Sequence, residues 1–432
     1  MSAYSQILEY LFSLHRFGIK LGLDRIIRLL ESLGNPHRRF ATLHIGGTNG
    51  KGSSAAMVAS ILNAAGYRVG LYTSPHLVDF RERIQVKGEP IPPDQVCVLT
   101  ELIRKASAPV PSPTFFEFTT AMAFQYFADQ QVDVGVIEVG LGGRFDATNV
   151  LDPLGVLITT VAFDHEIYLG DTLQAIAGEK AGIIAPDTPL VLGPMPAEGL
   201  PVIQARAKTL RAPVFRFGAD FETKGTAASS FSYHGPKWAW KDLRTNLLGR
   251  HQIINAANAL ALLEICGQAE CPVDESAVRT GLQHVKWPGR LEVVAREPLV
   301  ILDGAHNPSA ATVLFDFLHA QLQDLPARSL ILVVGMMADK NHREFLKTFQ
   351  PIAKEVILTK PHMSRAAEPE SLARAFQEFQ RPPIVVAEPK EAIAHAGALA
   401  RPSDIICVTG SLFLVGEISG CFSPSESPIV QV

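Results

Sequence analysis

The stretch ATLHIGGTNGKGSSAAMVASILNAAG, residues 41–66, reads as a buried strand, a glycine-rich turn and a helix, and the rest of the chain is organised around that turn. Gly46, Gly47, Gly50 and Gly52 let backbone N–H groups approach an anion closely, the following helix points its positive end at it, and Lys51 adds a mobile charge. These features predict a phosphate cradle with Thr48, Asn49, Gly50, Lys51, Gly52 and Ser53 as its contacts. The turn departs from the standard P-loop, which has a glycine where Ile45 stands and a Ser or Thr where Gly52 stands. The hydroxyl that a P-loop uses to hold magnesium is therefore not placed by this stretch. The competing reading is an ordinary strand-to-helix turn, but a lysine amid these glycines contributes little to packing.

At 432 residues the chain exceeds one ordinary core and predicts two domains. Its 47% hydrophobic and 19% charged residues mark a globular protein. A net charge of −4 offers no basis for a nucleic-acid surface, so an anionic ligand must be met by local cations and helix ends, and small-molecule partners are expected. Cys97, Cys266, Cys271, Cys407 and Cys421 are odd in number and scattered and form no CxxC, which argues against a disulfide framework and a zinc site and fits a reducing cytoplasm. No basic start leads into an apolar run, and no segment supplies the roughly 18 apolar residues that span a bilayer. The expectation is a soluble, cytoplasmic protein with no membrane partner and, by default, a monomer.

Outward from the cradle, apolar residues at helical spacing over 4–33 predict two short helices interrupted near Gly18 and Gly22. YRVGLYTSPHL (67–77) is a strand running into a loop, and strand ends are where parallel α/β sheets place ligands. TFFEFTTAMAFQYFADQ (114–130) is apolar all round, as in a helix packed between a sheet and a neighbour. VDVGVIEVGLGGRFDATN (132–149) puts Glu138 inside a strand of Val and Ile, where a carboxylate is costly unless it is paired or holds a metal. Beyond it, Arg144 and Asp146 either orient a charged substrate or pair with each other. LGVLITTVAFDH (154–165) predicts a continuous strand ending in Asp164 and His165, and TLQAIAGEKAGII (172–184) a short helix whose Lys180, on pattern alone, is a solvated charge beside Glu179. A helix over 246–267 carries Asn255 and Asn258, and Pro288 and Gly289 make a hinge-like turn before Arg290. Apolar runs at 299–307, 329–336, 355–360, 383–387 and 404–412, separated by helical stretches, predict a second doubly wound sheet without a glycine cradle. The expected fold is α/β: a P-loop-type ATPase domain over 1–295, its parallel sheet flanked by helices, and a Rossmann-like α/β domain over 296–432.

GTNGKGS (47–53) followed by YTSPHL (72–77) resembles the ATP-dependent amide ligases of the Mur ligase superfamily, and within them the folylpolyglutamate synthase/dihydrofolate synthase family. The resemblance covers nearly the whole chain. It implies that Ser74 is a magnesium ligand, supplying the hydroxyl that the glycine turn lacks, and that His165 of DHEIYLG is another. With Glu138 these make a hard-cation set with one imidazole, serving two magnesium ions. The lysine of EKAGI, here Lys180, is carbamylated in the family, which requires a neutral amine and hence a site that lowers the lysine pKa. Asn255, Arg290, Asp303 and His306 match nucleotide contacts for ATP, the last two from across an interdomain cleft that closes to assemble the site. His15, Arg16, Thr114, Phe116, Arg144 and Asp146 match positions that meet the pteroate or folate substrate, and 79–91 matches a flexible loop joined to that cleft.

The chemistry so implied joins L-glutamate to a pteroate- or folate-type carboxylate, either dihydropteroate or a reduced folate. ATP activates the carboxylate as an acyl phosphate, which the amine of glutamate attacks. Lys51, Glu138, His165 and Lys180 are then the catalytic set, acting by positioning and charge neutralisation. Three alternatives compete. A ligase of nucleotide-linked cell-wall precursors carries an additional domain before its cradle. A P-loop kinase would follow the standard loop more closely. A nucleotide-binding switch would bind without turnover.

Overall fold

The computed structural model describes residues 3–14, 18, 22–108, 113–225, 230–267, 270–325, 327–374 and 381–422. The chain divides into two compact units, the first comprising Met1–Ala162, Glu166–Asn246 and Gln252–Val285, the second Phe163–His165, Leu247–His251 and Lys286–Val432.

The first unit is built on eight strands: β1 (Ala41–Gly46), β2 (Val69–Tyr72), β3 (Ile84–Val86), β4 (Glu89–Pro90), β5 (Val134–Glu138), β6 (Gly155–Ile158), β7 (Leu190–Leu192) and β8 (Val214–Arg216). Their order in the sheet is β4-β3-β2-β5-β1-β6-β7-β8, parallel from β2 to β8, with β3 and β4 added antiparallel at the edge. The parallel strands are apolar on both faces because helices cover both, as their uninterrupted Val, Ile and Leu runs require. On one face the Phe115–Asp129 helix buries Phe118, Phe124 and Phe127 completely. Its start is a capping box: Glu117 N–H donates to Thr114 Oγ1 and Thr114 N–H to Glu117 Oε2, while Arg25 meets Glu117 at 2.9 Å. Among the described residues two α-helices precede β1, Ala3–Ser13 and Asp24–Ser32. The segment 79–91 forms a capped 3-10 turn at Phe80–Arg83 and the β3–β4 hairpin.

A smaller antiparallel sheet, β9 (Glu222–Gly225), β10 (Phe231–His234) and β11 (Ala239–Leu243), completes this unit. It is pinned to the Arg250–Cys266 helix by buried Glu264, which accepts from the Tyr233 hydroxyl at 2.6 Å and from the Lys237 and Trp238 amides at 2.5 Å.

In the second unit all five expected apolar runs are strands: β13 (Leu299–Leu302), β14 (Leu330–Val334), β15 (Ala353–Leu358), β16 (Ile384–Val385) and β17 (Ile405–Thr409), preceded by β12 (Glu292–Arg296). The order is β12-β13-β17-β14-β15-β16, with β12 antiparallel. The expected boundary at 295/296 falls inside β12, whose ladder to β13 places it with the second sheet.

The predicted strand over 154–165 is shorter than its apolar run. β6 stops at Ile158, because Thr159 and Thr160 turn their hydroxyls onto the Asn49 carbonyl, at 2.7 and 3.2 Å. Asp164 and His165 therefore do not end a strand, and His165 adopts a left-handed conformation (φ 52°). All five cysteines are free thiols. Among the described residues no helix is long and apolar enough to cross a membrane.

At the start of β17, Asp404 accepts from the Ser329 and Arg401 amides and from the Arg401 guanidinium, whose hydrogen bonds hold its carboxyl down at about 2. A carboxyl depressed on folding contributes stability above its unfolded pKa and loses it as pH falls from there through the folded value. Asp404→Asn is therefore expected to melt lower than the parent at pH 7, with the gap closing between about pH 4 and pH 2. Thermal melts of both proteins across that range check this; a gap that does not change with pH contradicts it.

Candidate active site

The strand order puts the chemistry at one sheet edge. β2, β5 and β1 are neighbours and parallel, so the residues that leave their carboxyl ends converge: Ser74 after β2, Glu138 at the end of β5, and the cradle after β1. Ile45 pairs with Glu138 and Tyr72 with Ile137.

The cradle is held from the segment that follows β6. Thr48 N–H donates to the Thr160 carbonyl (2.9 Å), Asn49 N–H to Thr160 Oγ1 (3.0 Å), and the Thr48 hydroxyl accepts from Ala162 N–H (3.0 Å). Gly50 caps the Lys51–Ala64 helix at φ 86°, and a Cβ there would overlap the Asn255 amide. Lys51 Nζ donates back to the Thr48 carbonyl at 3.1 Å. Ser53 is buried and accepts from Gln252 Nε2 at 3.3 Å, while Asn255 Nδ2 donates to Gln252 Oε1 at 2.9 Å. Asn255 thus stands at the cradle itself, and Gln252 and Thr159 join it without having been visible in sequence.

Glu138 is buried, and its Oε2 accepts from Ser74 N–H at 3.1 Å. Nearby lies Arg83, also buried: its Nε donates to His76 Nδ1 at 2.7 Å and its guanidinium lies 5.2 Å from the Phe115 ring centroid. Burial lowers the pKa of Arg83 against the opposing pull of Tyr72, Glu138 and Glu82. Arg83 is not singled out by the sequence, since an arginine in the charged run 79–83 reads as a surface residue. Lys180 corrects the solvated reading in the same way: it is buried, its Nζ donates to the Gly47 carbonyl at 2.9 Å, and Glu179 pairs instead with Arg144 at 3.2 Å. Among the described residues no three His, Cys, Asp or Glu side chains gather into a metal-holding group. Magnesium characteristically takes one or two carboxylates and completes its shell with phosphates and water, and Glu138 with the Ser74 hydroxyl fits that pattern.

Of the residues matched to the pteroate or folate substrate, His15 and Arg16 lie outside the described residues. Thr114 is the buried helix cap described above. Phe116 is half-buried, 5.9 Å from Tyr72 between ring centroids. Arg144 is exposed, bonded to the Gly178 carbonyl (3.2 Å) as well as Glu179. It does not form the turn pair with Asp146, because the Asp146 carboxylate is buried and engaged by the Leu141 and Thr148 amides and the Thr148 hydroxyl.

The second unit gathers its own polar centre. Asp303 is buried and accepts from Leu291 N–H and Ala305 N–H, both at 2.9 Å; Arg290 Nη1 donates to the Gly289 carbonyl at 3.1 Å. His306 faces the Gly304 carbonyl through Nδ1 (2.8 Å) and Asp164 through Nε2 (3.3 Å). Asp164 also receives Lys340 Nζ (2.6 Å) and Asn307 (3.1 Å), and His165 lies 3.4 Å from Lys340 Nζ and 3.9 Å from Asp339. Burial pushes the Asp164 carboxyl up, but His306, His165 and Lys340 outweigh it and hold it well below the carboxylate range. His165 is lowered to about 4, first by burial. Lys340 carried no signal in sequence, since a lysine after an aspartate ordinarily reads as a surface pair.

The chain matches the Mur ligase middle domain family over residues 45–263 and the Mur ligase, glutamate ligase domain family over 289–412. It is 35% identical to a dihydrofolate synthase/folylpolyglutamate synthase of Bacillus subtilis, over 96% of this chain and 98% of the relative. It is 38% identical to a probable bifunctional folylpolyglutamate synthase/dihydropteroate synthase of Haloferax volcanii, of which it spans half the length. Among solved structures it is similar to the Mycobacterium tuberculosis folylpolyglutamate synthase complexed with ADP (34% identity, TM-score 0.91, 99% and 100% of the two chains). It is also similar to a Yersinia pestis bifunctional folylpolyglutamate synthase/dihydrofolate synthase complexed with AMPPNP and Mn ion (32% identity, TM-score 0.86, 98% of each chain). With the cradle, the strand-end carboxylate and both domain matches in one continuous chain, the protein belongs to the folylpolyglutamate synthase/dihydrofolate synthase family of Mur ligases.

Proposed function

We propose that the protein is an ATP-dependent acid–amino-acid ligase that adds L-glutamate to a folate-type carboxylate, extending tetrahydrofolate and converting 7,8-dihydropteroate to dihydrofolate, with ADP and phosphate as products. The observation that carries this reading is the convergence of cradle, Glu138 and Ser74 at the carboxyl ends of three adjacent parallel strands. It suits a reaction in which a phosphoryl group must be steered rather than attacked by a protein nucleophile. The chain spans half the length of the Haloferax volcanii relative, and no dihydropteroate synthase activity is proposed for it.

The cradle amides and Lys51 would hold the β- and γ-phosphates, and Asn255, Arg290, Asp303 and His306 are assigned to the nucleotide. Ser74 and Glu138 would hold one magnesium ion, and Glu138 and His165 would belong to a second. A metal ion held there would supply charge neutralisation during phosphoryl transfer. Lys180 carries a carbamate in this reading: carbamylation leaves one N–H on Nζ, enough to keep its bond to the Gly47 carbonyl while adding a negative group beside the cradle. Phe116 offers a flat apolar face to the pterin and Arg144 a cation to the acid. Neither a nucleophile nor a general base is needed until the glutamate amine attacks and phosphate leaves.

The test is glutamate incorporation and phosphate release with Mg-ATP, using dihydropteroate and tetrahydrofolate in parallel. Incorporation with both acids is expected. Incorporation with one alone narrows the activity, and ATP binding with neither incorporation nor phosphate release overturns the ligase reading in favour of a binding switch.

A further inference from the structure

The ligase reading leaves one buried polar chain without a role. His44 lies mid-strand in β1, between Ile137 of β5 and Val156 of β6, and is 1% exposed. Its Nε2 meets Thr148 Oγ1 at 2.8 Å. Thr148 Oγ1 in turn donates to Asp146 Oδ1 at 2.5 Å, and Asp146 Oδ2 accepts from Leu141 N–H at 2.8 Å. The single hydroxyl proton of Thr148 is committed to the carboxylate, so its oxygen is an acceptor and His44 must present Nε2–H. Burial holds the imidazole neutral, pushed down to about 3, and raises Asp146 against the hydrogen bonds from Thr148, Leu141 and Gly140. The chain therefore has one direction, from the centre of the sheet to the loop backbone.

Three polar side chains buried together cost more than apolar residues of the same size unless their geometry is used. Here that geometry serves a single purpose. It begins two residues before Gly46, on the strand that feeds the cradle, and ends on the loop that leaves Glu138 and carries Arg144. We propose that His44, Thr148 and Asp146 form a positioning relay that locks loop 140–149 to the cradle strand and so sets the place of Arg144 relative to the phosphate site. Asp146 then acts on the substrate through the loop, not by touching it. The inference rests on the reading that this loop receives the folate-type acid.

The test uses the full-length enzyme and compares Thr148→Val, Thr148→Ser, His44→Leu, His44→Leu/Thr148→Val and Arg144→Ala, each assayed for the KM of dihydropteroate, the KM of ATP, kcat and melting temperature. Thr148→Val is expected to raise the dihydropteroate KM by about tenfold and leave the ATP KM within about twofold. Thr148→Ser keeps the relay and the parental KM. The double variant should be no worse than the more severe single one, the non-additivity of residues acting as a unit. A Thr148→Val enzyme that melts lower but keeps both KM values overturns the relay, provided Arg144→Ala raises the dihydropteroate KM. If Arg144→Ala leaves that KM unchanged as well, it is the assignment of the loop to the acid that fails. Should Thr148→Val not fold, the Thr148→Ser and His44→Leu pair decides: equal dihydropteroate KM values in the two overturn the relay.

Discussion

Glu138→Gln is expected to lower phosphate release and glutamate incorporation by roughly a thousandfold while leaving the protein folded. Glutamine matches the volume of glutamate, and its carbonyl oxygen can still accept the Ser74 amide that glutamate accepts at 3.1 Å. What it cannot supply is a negative charge at the end of β5, where the position is buried and no bulk water substitutes for it. The fold tolerates the change because removing a buried carboxylate also removes its desolvation cost. Arg83 loses one of its two acidic neighbours but retains Glu82, so the melting temperature should move by only a few degrees. Glu138→Asp keeps the charge but withdraws it by one methylene and should fall between the two. Single-turnover phosphate release at saturating magnesium measures all three proteins; parental rates in the glutamine variant would remove Glu138 from the reaction.

The second large effect is expected at Gly47→Ala, and it combines stability with activity. Gly47 sits at φ 138°, a conformation that L side chains rarely adopt, and a Cβ there would overlap the Thr159 hydroxyl. That hydroxyl donates to the Asn49 carbonyl at 2.7 Å, so pushing it aside loosens the turn from the segment after β6. The same peptide accepts Lys180 Nζ through its carbonyl at 2.9 Å, so the lysine is displaced with it. Strain and lost hydrogen bonds together should cost about 2–4 kcal/mol, and nucleotide binding should weaken by more than about a hundredfold. Gly66→Ala is the control. It too has a positive φ (95°), but nothing lies within 4 Å of the added Cβ, so it should cost about 1 kcal/mol and leave activity unchanged. Denaturant unfolding and nucleotide titration separate the two variants; equal behaviour would show that Gly47 is punctuation and not part of a cradle.

Much of this protein is legible locally. The glycine turn at 46–52, the two helices before it, the helix at 114–130 and the five apolar runs after residue 298 all have their expected type in the structure, because each carries its signal within a short window. Glu138 stood out for the same reason: a charge inside a run of Val and Ile is anomalous without reference to anything distant.

The errors share a different cause. The run at 154–165 is apolar throughout, and its early end at Ile158 depends on Asn49, more than a hundred residues upstream. Lys180 and Arg83 carry ordinary charged-surface patterns, and only packing buries them. Asp146 is taken from Arg144 by Thr148 and by amides that the loop turns inward, and behind Thr148 lies His44 on another strand. Local sequence determines where strands, turns and helices begin, because backbone propensity and apolar periodicity act over a few residues. Which strand lies beside which, and so which charges are buried and which hydrogen bonds close, is decided by the β2-β5-β1-β6 order of the sheet, which joins residues that no window of sequence holds together.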